Sequence, residues 1–158
     1  MGIGKQTNLV YLIDFGLSKE FRDSNTHAHI PYNAGHGLIG TMTFASINSH
    51  LGLELGRRDD LESLAYILLY FLWGFLPWQS LGRDGQAVLE SKRGITAYTL
   101  FQELPLELRT FLKYCRSLSF ESKPDYEHIH ALFEDILLQE ACRGHMFDWD
   151  VGMEVVEQ

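Results

Sequence analysis

Ten consecutive apolar residues, Leu64 to Trp73 (LAYILLYFLW), constrain this chain more than any other feature of its sequence. A membrane-spanning helix needs about 20 such residues. Here the run is broken at once by Gly74, and Pro77 follows. A helix that is apolar all round is instead the central, surrounded helix of a globular core. Arg57-Arg58-Asp59-Asp60 lies just upstream and puts carboxylates near the expected helix N-terminus, where the helix dipole favours negative charge. The pattern predicts a buried helix over residues 60–73. A chain of 158 residues is long enough for one domain around such a helix. With 46% hydrophobic and 22% charged residues, disorder is excluded for most of it.

The rest of the chain organises around that helix. Asn8 to Ile13 (NLVYLI) is a short, β-prone apolar run that reads as a buried strand. Residues 14–50 are rich in Gly, Ser, Thr, Asn and His, with little periodicity, and long loops of this kind are usually functional. Downstream, Gly82, Gly85 and Gly94 bracket a weak helix. Leu108, Phe111, Leu112 and Cys115 mark a helix over 106–118. Ile129, Leu132, Phe133, Ile136 and Leu137 mark another over 125–140. One strand and four helices are expected, a mainly α chain. A lone strand has nothing to pair with, so the map resembles the back half of a larger fold.

Thirteen Lys and Arg against 21 Asp and Glu give a net charge of −8, which argues against a nucleic-acid partner. Residues 134–158 hold one basic and seven acidic side chains, an acidic C-terminal end. Cys115 and Cys142 form no Cys-x-x-Cys pair and are expected as core residues. No apolar leader opens the chain, and Gln6 stands where a myristoylation signal needs Ser or Thr. The expected setting is reducing and intracellular, cytoplasmic or nuclear, without membrane attachment.

Asp14-Phe15-Gly16 directly follows the expected strand. A carboxylate at a strand end can ligate Mg²⁺, a Gly lets the chain turn sharply, and a Phe anchors the loop in apolar surroundings. Three letters alone also fit an ordinary strand-ending turn. They are followed in order by LIDFGLSKEFRD's own continuation: THAHIPY, GTMTFASINSHLGLELGRRDDLESLAYILLYFLWGFLPWQ, YCRSLSFESKPDY and FDW. Taken together, these segments resemble the C-terminal lobe of the casein kinase 1 family of Ser/Thr protein kinases. The likeness runs from about residue 1 to 149, leaving 150–158 as a short acidic tail. Ser46-Ile47-Asn48, where other protein kinases have Ala-Pro-Glu, is its most specific mark.

The resemblance implies a partial protein kinase-like fold: C-lobe helices plus an activation segment over 14–48. It implies that Asp14 is the residue that holds Mg²⁺ on ATP. Gly40 to Asn48 corresponds to the loop that receives the protein substrate, with Thr41 normally touching the catalytic Asp. Asp60 matches the acid that supports the backbone of the catalytic loop. Phosphoryl transfer also needs a Gly-rich loop, a strand Lys paired with a helix Glu, and the catalytic-loop Asp and Asn. All of these precede Asp-Phe-Gly in kinase order, and none stands before Asp14 in this chain. No catalytic base is therefore assigned, and the chain alone is expected to bind Mg²⁺–ATP poorly and to lack phosphotransfer. The alternatives are a free-standing pseudokinase fragment that binds a protein partner, or a remnant without function. An uncovered flank of residues 64–73 is expected to drive self-association.

Some positions depart from the family pattern. Thr43-Phe44 stands where Arg-Tyr is usual, Asn33-Ala34-Gly35-His36 follows Pro31-Tyr32 in place of basic residues, and Ser80 to Asp84 replaces a basic run. Arg83, Lys92 and Arg93 are candidates for a substitute anion site, although solvated helix-surface charge is the simpler expectation. His27-Ala28-His29 has the spacing of a metal pair, but structural packing is expected. His128 and His130 should face apart on their helix.

Overall fold

The computed structural model describes residues 9–139. Among them the chain is mainly helical. α1 is Ile47–His50, α2 Arg57–Trp73, α3 Gly85–Gly94, α4 Ala97–Leu100, α5 Leu106–Ser117 and α6 Tyr126–Gln139. The acidic tail, Cys142 and the Phe-Asp-Trp motif lie outside the described residues, as do Asn8 and residue 140.

The central helix starts earlier than the apolar run suggested. Gly56 is its N-cap, and its backbone N–H donates to Asp59 Oδ2 at 2.9 Å, which sets the first turn at Arg57. Gly74 ends it in the left-handed conformation, with its N–H on Tyr70 O. α5 packs along α2 and α6 packs on α5. The core forms where Tyr66 and Leu69 meet Phe111, Leu112 and Cys115, with Trp78 and Phe101 closing the sides. Tyr66 and Trp78 meet edge to face with ring centroids 5.0 Å apart. Cys115 is in the core as expected, and burial pushes its thiol up to about 12.

The expected strand does not form. Residues 9–13 form no strand, and Val10, Leu12 and Ile13 are 80%, 85% and 81% exposed. A strand needs a neighbour to take its backbone hydrogen bonds. Among the described residues there are only two isolated bridges, Arg22 with His29 and Ala34 with Leu53. α2 is buried or half-buried on its other faces, but Leu64, Phe71 and Leu72 remain open to solvent on one side, the uncovered flank expected of residues 64–73. No helix of the described residues is long and apolar enough to cross a membrane.

Residues 14–46 are irregular, as their composition suggested, apart from a 3-10 turn at Phe15–Leu17. Side chains fix the path. Asp23 Oδ1 accepts from the backbone of Asn25 and Thr26. His29 packs between Phe21 and Phe120, tilted to the first ring and edge-to-face with the second. Glu54 holds both Lys19 and His36.

Candidate functional site

The irregular segment and the start of α2 enclose a cavity of about 540 Å³. Asp14, Gly40, Thr41, Ser46 and Asp60 all line it, although 46 positions separate the first from the last. Phe15, Gly16, Ile47 and Asn48 do not face it.

Asp14 caps the 3-10 turn, with Oδ1 accepting from Gly16 N at 3.3 Å. The sharp turn expected of Gly16 falls on Asp14 itself, which adopts a left-handed backbone (φ 62°, ψ 71°). Short polar side chains such as Asp tolerate this region because they can bond locally. Phe15 does not anchor the loop: it is 67% exposed.

Across the cavity, Asp60 occupies the first turn of α2. Loss of hydration and the neighbouring Asp59 carboxylate push its carboxyl above the ordinary range, against the pull of Lys19. Gly40 takes a positive φ of 89°, a conformation that favours glycine, and leads into Thr41. The Thr41 carbonyl accepts from both Phe44 N and Ala45 N at 2.9 Å, closing a tight turn over 41–46.

Asp59, which the sequence reading treated only as dipole charge, organises the far wall. Its Oδ1 accepts from Ser46 Oγ and from Asn48 Nδ2, both at 2.8 Å, and its Oδ2 takes Gly56 N. Ser46 at the same time caps α1, accepting from Ser49 N at 3.1 Å. The Ser-Ile-Asn tripeptide is thus read by one buried carboxylate. Spacing alone cannot reveal this pairing, because it depends on how the loop between α1 and α2 folds back.

Lys92 is a correction. In place of a solvated charge on α3, it is wholly buried, with Nζ on the carbonyls of Met42 and Ala45 at 2.9 and 2.7 Å. The turn at 41–46 points these carbonyls inward, and α3 brings the lysine to them. Burial pushes its ammonium down to about 7. Arg83 and Arg93 remain exposed, so no three-cation anion site forms. Behind Lys92 lies a second charged group: Arg116 reaches Glu62 at 3.3 Å and Tyr66 OH at 2.9 Å, and Tyr66 OH donates to Glu62.

The described residues contain no group of three or more His, Cys, Asp or Glu side chains that could hold a metal ion. His27 and His29 make none: His29 Nδ1 donates to Ile30 O at 2.9 Å while its ring packs on aromatics. His128 lies on Tyr114 and His130 pairs with Glu134, so they do face apart. For Mg²⁺, the cavity offers the carboxylates of Asp14 and Asp60, and Mg²⁺ held by one or two carboxylates relies on substrate phosphates for the rest. The cations in its wall are committed elsewhere, Lys19 to Glu54 and Arg57 to the Phe21 ring and Glu121 O.

The pattern Gly-x-Gly-x-x-Gly does occur, at Gly35-His36-Gly37-Leu38-Ile39-Gly40. It is not a phosphate loop: no strand leads into it and no helix opens from it. The N–H groups of Gly35 and His36 are already bonded to Gly52 O, and that of Ile39 to Ser49 Oγ. No known protein-family model matches the chain.

Proposed function

We propose that this chain is the C-terminal half of a casein kinase 1-like Ser/Thr protein kinase domain, and that it does not transfer phosphate by itself. The lock of Ser46 and Asn48 onto Asp59 carries this reading. It ties the Ser-Ile-Asn tripeptide to the Arg-Arg-Asp-Asp segment, two of the motifs on which the resemblance rests. Asp14, Thr41 and Asp60 share one cavity, an arrangement consistent with a metal-binding acid, a substrate-loop hydroxyl and a catalytic-loop support.

In this reading bound Mg²⁺–ATP supplies the phosphoryl group. Asp14 would contribute a single metal-binding carboxylate, and Thr41 and Gly40 would line the approach of a protein substrate. Such catalysis is positioning and charge stabilisation shared among many groups, and one carboxylate cannot supply it. The expected setting is cytoplasmic or nuclear. The test combines the purified chain with a separately expressed upstream half of a casein kinase 1 catalytic domain and follows transfer of labelled phosphate from ATP to casein. The chain alone should give no incorporation. The mixture should give incorporation that Asp14→Asn abolishes. Activity of the chain alone, or activity of the mixture indifferent to Asp14, would overturn the reading.

A second reading, a pseudokinase fragment that binds a protein, is favoured by the open side of α2 at Leu64, Phe71 and Leu72. Hydrophobic surface of this kind marks interaction sites.

A further inference from the structure

Lys92 and His50 approach within 3.1 Å inside the fold, one from α3 and one from α1. An ammonium has three N–H donors and no acceptor. Met42 O, Ala45 O and His50 Nε2 use all three, which requires that Nε2 carry no proton. The same Nε2 lies 3.2 Å from Met42 O. The imidazole therefore has two exclusive arrangements: Nε2 accepts from Lys92, or it is protonated and donates to Met42 O. Both end on the turn at 41–46, where Trp78 Nε1 donates to Thr43 O at 2.7 Å.

We propose that Lys92 and His50 form an acid-sensitive latch on the turn at 41–46. The latch is shut while His50 is neutral and accepts from the lysine, and it opens when His50 takes up a proton. With both groups charged, two cations would face each other across a site walled by the rings of Tyr66 and Trp78, whose centroids lie 5.0 and 5.1 Å from Nζ. Like charges at this range in a partly buried site repel.

The groups facing the pair from the neighbouring elements do not relieve this. Glu62 of α2 favours the ammonium, but it is paired with Arg116 of α5, whose charge opposes it. Tyr66 keeps its proton, since burial and Glu62 raise its ionisation far above the ordinary range. Burial and Lys92 hold the His50 ring below its usual 6.5, so the latch stays shut near neutrality. Loss of a proton from Lys92 does not open it. The neutral amine still donates to both carbonyls and accepts from the other tautomer of His50. The response is confined to the acid side, and it depends on no assumption about phosphotransfer.

The test is an NMR titration of the isotopically labelled full chain. We expect the amides of residues 42–46 and the Trp78 indole N–H to shift with His50, at one common midpoint below 6.5. Hydrogen exchange at the indole should quicken ~10-fold relative to α5 amides as the latch opens. In His50→Gln the amide oxygen can take the third lysine hydrogen but cannot titrate, so the response below 6.5 should vanish and only the titration of Lys92 itself, near 7, should remain. A response below 6.5 that persists in His50→Gln, a His50 midpoint at or above 6.5, or a turn that stays silent while His50 titrates would each overturn the latch. If His50→Gln fails to fold, the wild-type titration decides alone, by whether turn and ring share a midpoint.

Discussion

Ser46 Oγ donates to Asp59 Oδ1 at 2.8 Å in the interior, tying the first residues of α1 to the first turn of α2. Ser46 and Asp59 are 2% and 3% exposed, so water cannot replace either partner. The bond is charge-assisted, and Asp59 accepts two further hydrogens from Asn48 and Gly56. One side chain thus holds the wall of the cavity and the start of the central helix together.

Asp59→Ala should therefore be costly. It leaves two buried donors, Ser46 Oγ and Gly56 N, and the half-buried Asn48 amide without their acceptor, and unsatisfied buried groups cost ~1–3 kcal/mol each before relaxation. The expected loss is about 3 kcal/mol. Asp59→Asn keeps an oxygen and should lose less than half as much. Urea unfolding of the two variants checks the order. Equal and small losses would mean that the cavity wall stands without this carboxylate.

Much of the helical frame was legible because it rests on local pattern. The spacing of Leu108, Phe111, Leu112 and Cys115 marks α5, and the apolar run marks α2. The strand expected over 8–13 does not form across the described residues 9–13, because β-propensity says nothing about whether a partner exists for its backbone. Phe15 was misjudged for the same reason, since an apolar side chain is only an anchor where something is present to receive it. Lys92 was misread because a lysine on a short helix is usually solvated, and the carbonyls of Met42 and Ala45 become its partners only through the fold of a loop without periodicity. Asp14, Thr41 and Asp60 could be associated from motif order alone, but their common cavity needed coordinates.

Lys92 also predicts how stability follows pH. Its folded-state value is about 7, against 10.5 when unfolded. Between these limits the unfolded chain holds a proton that the folded chain has released. Stability should therefore rise with pH from 7 towards 10.5, by up to about 1.4 kcal/mol per pH unit. Lys92→Met should remove this rise while leaving Ala45 O without its lysine donor and Met42 O with His50 alone. Chemical unfolding at a series of pH values, wild type against variant, measures both. A wild-type curve flat over this range would show that the ammonium stays charged in the fold.

Asp60 gives the opposite sign. Its carboxyl is raised above 3.8, so the folded chain holds a proton that the unfolded chain gives up. Its contribution is present at low pH and is lost as pH rises through 3.8 to the folded value. Asp60 keeps part of its surface in water, which screens the effect, so Asp60→Asn should make the chain only slightly more stable at neutral pH and slightly flatten the acid side of the profile. Thermal melts at pH 4 and 7 distinguish this from a carboxylate held by an undetected cation, for which the substitution would destabilise.

The open side of α2 should make the chain self-associate. Phe71 is 74% exposed, with Leu72 at 54% and Leu64 at 41% beside it on the helix. Phe71→Ser should shift sedimentation towards monomer and lower the fluorescence of a bound hydrophobic dye, with little change in melting, because the side chain contributes little to the core. A wild-type chain that sediments as a clean monomer at high concentration would exclude self-association through this surface.

The Arg116 guanidinium meets Glu62 at 3.3 Å and Tyr66 OH at 2.9 Å and also reaches the carbonyls of Ile95 and Lys92. The Glu62 side chain is only 5% exposed. Removing one member of a buried pair leaves the other charge uncompensated, at ~3–5 kcal/mol, whereas removing both costs far less. Arg116→Met should accordingly destabilise by about 3 kcal/mol or more, and adding Glu62→Gln should recover part of that loss. A double-mutant cycle read by urea unfolding gives the coupling directly. Additive losses would mean that Arg116 acts through its carbonyl contacts and its packing against Tyr66, with no net energy in the ion pair.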